Sequence, residues 1–195
     1  MHLRRIVGLA LLLLLPAATQ AQDARLAGRL DSATAASVQQ VVDSARRAGL
    51  PTEPLVQKAL EGGTLGASGE RIVAAVAALR GQLDRARDAL GGSASEAELT
   101  AAAGAFRAGL PPTALRRLQS LRSGRSLAVP IAVLTDLVAE GVPADQATRS
   151  VLDLAREGRP DDEFVALRRQ VQIQRRGATS NRPALQPAAD PPVNR

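Results

Sequence analysis

From Ser32 to about Arg176 the apolar positions recur every third or fourth residue, and no run alternates apolar and polar side chains as a half-buried strand does. This pattern predicts an all-α domain of about seven or eight short-to-medium helices. Val38, Val41, Val42 and Ala45 form a first stripe that ends at Gly49, and Leu55, Ala59 and Leu60 form a second that stops at Gly62-Gly63. Ile72, Val76, Leu79, Leu83, Ala86 and Leu90 step by four and three residues, keeping one face of a long helix apolar up to Gly91. So regular a face reads as core of the same domain, with a seam for a partner helix as the alternative.

Further helices carry Leu99, Ala102 and Phe106; Leu115, Leu118 and Leu121; Ile131, Leu134, Leu137 and Val138; and Ala147, Val151 and Leu154. Ser93 and Ser95 each stand three residues before a glutamate, Glu96 and Glu98, and either pair would make a capping box. The last helix opens at Pro160-Asp161-Asp162-Glu163, buries Phe164, Leu167 and Val171, and closes on Arg168, Arg169, Arg175 and Arg176, an order of charge that suits the helix dipole.

Punctuation repeats along the chain. Arg47-Ala48-Gly49-Leu50-Pro51 returns sixty residues later as Arg107-Ala108-Gly109-Leu110-Pro111, each with a leucine four positions on, at Leu55 and Leu115. Variants stand at Gly141-Val142-Pro143 and Gly158-Arg159-Pro160. Glycine in the left-handed region, an apolar residue folding back and a proline that cannot continue the helix together make a stop signal. The spacing predicts a duplicated unit, near 32–91 and 93–157, arranged either as an open array of helical hairpins or as an irregular closed bundle.

The ends differ in composition. Arg4-Arg5, the apolar run from Ile6 to Leu15, Pro16 and Thr19-Gln20-Ala21 have the order of a secretory signal peptide, with cleavage expected after Ala21. Its core of about ten residues is half of the roughly 20 needed to span a bilayer. Residues 22–31 read as a flexible mature N-terminus, 32–176 as one all-α domain, and 177–195, rich in Pro, Ala, Asn and Gln, as a disordered tail. The expected location is periplasmic or secreted. Without cysteine, packing alone holds such an exported fold together.

Composition excludes more chemistry than it supports. The only His and Met are His2 and Met1, both in the leader, and there is no Cys, Trp or Tyr, so thiol, imidazole and His/Cys-zinc chemistry lack their residues. Cleavage removes Arg4 and Arg5 and lowers the net charge from +6 to +4. Lys58 is the one lysine, and Leu55 stands where a Ser-x-x-Lys nucleophile would be; a salt bridge to Glu61 or Glu53 is its expected role. The stretch Gly62 to Gly69 lacks the Lys-Ser/Thr ending of a P-loop and reads as a flexible helix connection. Carboxylates remain the only plausible catalytic groups; Glu61 and Glu70 flank this stretch and could in principle work as a pair, but no aromatic platform stands with them for a sugar. Asp161, Asp162 and Glu163 are consecutive on a helix and so diverge. The expectation is therefore no catalytic residue, cofactor or metal.

Two basic clusters remain as candidate anion-binding positions: Arg116, Arg117, Arg122 and Arg125, and Arg168, Arg169, Arg175 and Arg176. Either could hold a lipid, cell-wall polymer or nucleic acid by charge.

Gly49-Leu50-Pro51-Thr52-Glu53-Pro54-Leu55-Val56-Gln57-Lys58-Ala59-Leu60-Glu61-Gly62, followed by Glu70-Arg71-Ile72, resembles a motif of uncharacterised exported bacterial helical proteins. Ala67-Ser68-Gly69 stands where that motif has a second Gly-Val-Pro turn. The resemblance covers about thirty residues and implies an exported helical protein, with no activity attached. The expected function is a non-enzymatic helical interaction or structural module of the cell envelope with an envelope protein as partner, or alternatively an electrostatic binder of an anionic surface or polymer. Contact would fall in a groove between the repeated hairpins or on the regular face of the long helix.

Overall fold

A computed structural model describes residues 24–180, with side chains through Arg176. The leader, its cleavage point after Ala21 and the tail from residue 181 lie outside the described residues. Within them there are nine helices and no strand: α1 (Ala24–Ala27), α2 (Ser32–Arg47), α3 (Glu53–Thr64), α4 (Gly69–Leu90), α5 (Glu96–Arg107), α6 (Pro112–Leu121), α7 (Ala128–Ala139), α8 (Ala144–Arg156) and α9 (Asp161–Ser180).

The starts and stops follow local chemistry. Asp31 caps α2 by accepting the Thr34 N–H at 3.0 Å, and Ser95, not Ser93, makes the capping box with Glu98 at the head of α5. At Gly49 (φ +65°) the Gly49 N–H donates to Arg46 O and the Leu50 N–H to Ala45 O; at Gly109 (φ +86°) the Gly109 N–H donates to Phe106 O and the Leu110 N–H to Ala105 O. Leu50 and Leu110 fold back into the core. The turns after α7 and α8 repeat the same two bonds.

α4 gathers the N-terminal half, with α2, α3, α5 and α6 packed around it, and α7 gathers the C-terminal half, with α5, α8 and α9. Because α5 touches both and α6 joins α4 to α8, the contacts α4–α5–α7–α8–α6 return to α4. The arrangement is therefore a closed irregular bundle. Ile72, Val76, Leu83, Ala86 and Leu90 of α4 are buried inside it, so most of the regular face is spent within the domain. α9 runs parallel to α7, since Arg168 bonds Asp136, Gln172 bonds Glu140 and Arg175 bonds Gly141 O at a nearly constant offset.

Three boundaries differ from the expectation. α1 stands inside the segment read as flexible: Leu26 is only 2% exposed, and the Arg25 guanidinium holds Glu53 with two hydrogen bonds of 2.9 and 2.8 Å, so apolar contact and charge anchor it. α3 does not stop at Gly62-Gly63 but continues to Thr64. A Cβ at Gly62 would lie 2.8 Å from Ile72 Cγ1 and one at Gly63 2.8 Å from Leu30 Cδ2, so these glycines allow close approach rather than supplying a loop. Finally, α9 continues past Arg176 to Ser180, into the segment read as tail.

The sixty-residue repeat is local. α3 lies along α4, but α6, its counterpart, packs on α4 and α8 instead of along α7.

Candidate functional site

The structure separates the eight candidate arginines into two populations. Arg122 is 3% exposed, on the short turn after α6; its Nη1 donates to Arg159 O at 2.8 Å, its Nη2 pairs with Asp161 at 2.5 Å, and its Cζ stands 4.9 Å from the Phe164 ring centroid. It is a tie between α6 and the α8–α9 turn, not an outward anion contact. Burial and the nearby Arg125 pull its pKa below the usual arginine value, while Asp161 acts in the other direction. Arg125 Nη1 donates to Gly158 O at 2.8 Å, Arg168 pairs with Asp136 at 2.7 Å, and Arg175 Nη2 donates to Gly141 O at 2.8 Å. Each of these four is paired with a carbonyl or carboxylate of another element, and Arg122 alone among them is buried.

Arg116 and Arg117 on α6 and Arg169 and Arg176 on α9 are exposed, and nothing ties them to other described residues. They do not form one patch by helix contact, since α6 packs on α4 and α8 whereas α9 packs on α7 and α8.

Arginines that seal the ends of other helices are the feature the sequence concealed. Arg87 of α4 donates to both Ala48 O and Gly49 O, Arg125 serves Gly158, Arg175 serves Gly141, and Gln119 Nε2 reaches Leu90 O at the end of α4. The last carbonyls of a helix lack internal partners, and a guanidinium suits the negative end of its dipole. The signal was present as glycine stops beside an arginine-rich composition, but pairing them requires the tertiary fold.

One groove lies between α3 and α5, over α4. Its floor is Leu79, the one large residue of the regular α4 face left half-buried, and its cavity is about 350 Å³. One wall is the face of α3 bearing Pro54, Lys58 and Glu61; the other is the face of α5 bearing Thr100, Gly104 and Arg107. In each wall the residues follow three- and four-residue steps and so share a helix face. Gly104 lies mid-helix, where glycine costs about 1 kcal/mol relative to alanine, and a Cβ there would meet nothing within 4 Å. No neighbour inside the protein requires that glycine.

Charge gathers on the groove's rim. Lys58 Nζ donates to Glu61 Oε2 at 2.9 Å, one of the two partners its position suggested. The Lys58 hydrogen bond and charge, joined by the charge of Arg107, hold the Glu61 carboxyl below its usual pKa. Glu61 is thus kept as a carboxylate, and Glu70 stands exposed in the first turn of α4, beyond the Gly66 turn. Asp161 is taken by Arg122, and among the described residues no group of three or more Asp or Glu is placed to hold a metal ion. No described helix is long and apolar enough to cross a membrane.

Comparison of the chain with protein-family models, with curated proteins and with solved structures finds no match.

Proposed function

We propose that this chain is a non-enzymatic, exported cell-envelope protein, a helical interaction module that engages an envelope protein through the groove between α3 and α5. The observation that carries the reading is the groove itself: an aliphatic floor at Leu79, two helix faces as walls, and an interior glycine, Gly104, that leaves space next to it unfilled. Clefts of this form take a side chain or a helix of a partner. The order of charge, apolar core and small residues in residues 1–21 supports export, and mass spectrometry of the mature chain is expected to find Gln22 at its N-terminus.

The test is site-specific photo-crosslinking in the native envelope, from position 100 in the groove and position 116 on α6, at low and high salt. A discrete protein adduct from position 100 that survives high salt is the expected result. Adducts from position 116 alone, made of lipid or polymer and lost at high salt, would move the function to the second reading: electrostatic binding to an anionic surface, favoured by the exposed, unpaired neighbours Arg116 and Arg117.

A further inference from the structure

We infer that the groove's occupant is an acidic peptide segment, one that lays an aliphatic side chain on Leu79 and brings a carboxylate to Lys58 and Arg107. This deepens the interaction-module reading and rests on it. The floor sets the first half of the chemistry. Leu79 and Pro54 offer aliphatic surface, and the groove holds no aromatic ring on which a base or sugar would stack. The gap over Gly104 admits a side chain or backbone closer to α5 than any other residue there would allow.

The rim sets the second half. Lys58 and Arg107 bracket a single internal carboxylate, Glu61, which is bonded to Lys58 and also feels Arg107. One acid between two cations leaves a net charge of +1 facing the groove. Gln57 adds no charge, and its amide is already donated to Glu53. Thr100 donates its hydroxyl to Glu96 O. A partner carboxylate completes the alternation of charge, whereas a basic segment would meet two cations at the same place.

The experiment pans a random twelve-residue peptide library against the full mature chain, then measures enriched peptides by fluorescence anisotropy against three variants. Gly104→Leu fills the groove with a better helix former whose Cβ meets no neighbour, and is expected to weaken binding more than about ten-fold with unchanged circular dichroism. Arg107→Gln is expected to weaken it about five-fold and Lys58→Gln/Arg107→Gln about ten-fold or more, with unchanged circular dichroism. Enriched peptides should carry net negative charge and a Leu, Ile or Val. If binding is blocked by Gly104→Leu but the peptides are neutral or basic, or indifferent to the two charge variants, the acidic-partner inference is overturned while the groove stands as an interaction site. If no peptide responds to Gly104→Leu, the inference and the groove reading both fall.

Discussion

The two halves of the chain begin with the same sentence and finish it differently. Gly49-Leu50-Pro51 and Gly109-Leu110-Pro111 end their helices with the same two hydrogen bonds, bury the same leucine and start a new helix that buries Leu55 in one case and Leu115 in the other. The divergence comes near the end of that new helix. Position 62 is a glycine pressed on Ile72, so α3 continues and lies along α4; sixty residues on, position 122 is an arginine that turns inward to Arg159 O and Asp161. α6 has already stopped at Leu121 and faces α4 and α8. A local stop signal thus ends each helix, while the contacts made several turns later differ and the next helix takes a different course.

Changing position 122 tests this most severely. Arg122→Ala is expected to lose about 3 kcal/mol in urea denaturation, because Asp161 and two carbonyls lose their cation and Phe164 its covering group. A loss within the ordinary range for a surface change would mean that Arg122 does not hold the α6 end. At the matching position, Gly62→Ala should cost about 2 kcal/mol by driving a Cβ into Ile72, and adding Ile72→Ala should cost less than the two single losses together. Simple additivity in that cycle would remove the close-approach explanation.

The stops themselves offer a finer comparison. Gly49→Ala and Gly109→Ala each place alanine in the left-handed region, at about 1–2 kcal/mol. Gly49→Ala is expected to be the more costly, since its turn also carries the Arg87 bonds, and the difference should vanish in an Arg87→Ala background. The helix starts compare through acid. Hydrogen bonds from Thr34 lower the Asp31 pKa; burial alone would raise that of Glu98, but the bonds from Leu127 and Ser95 together outweigh it. Both groups therefore contribute stability that is present above their unfolded pKa values and lost as pH falls through the lower folded ones. Asp31→Asn and Glu98→Gln should each flatten the acid limb of a stability-against-pH curve, with little extra effect once both groups are protonated. The smallest change has the opposite sign. Gly104→Ala, alone among these glycine replacements, should raise stability, by about 1 kcal/mol or less, in thermal melts.

Much of this was legible because helix ends are written locally. The glycine stops, the Ser95–Glu98 capping box, the acidic opening of α9 and the apolar stripe of α4 each depend on residues within one or two turns. What the sequence hid depends on distance. Gly62-Gly63 has the composition of a loop, and only Ile72 and Leu30 above them explain a helix there. Arg122, among serines and a glycine, has the composition of a solvated turn, and its burial follows from Phe164 and Asp161, some forty residues away. The place of the groove was not legible, because Leu79 is one residue in an otherwise uniform stripe and only the positions of α3 and α5 on either side leave it half-buried.

The arginines that seal foreign helix ends also set how much of the chain each turn needs before it is complete. The turn at Gly49 has its own two backbone bonds, but its outward carbonyls stay with water until Arg87, thirty-eight residues on, is in place with α4 docked. Gly141 depends in the same way on Arg175, whereas Gly158 depends on Arg125, which precedes it in the chain. A truncation before Arg175 therefore leaves the turn after α7 unlocked even though every residue of that turn is present.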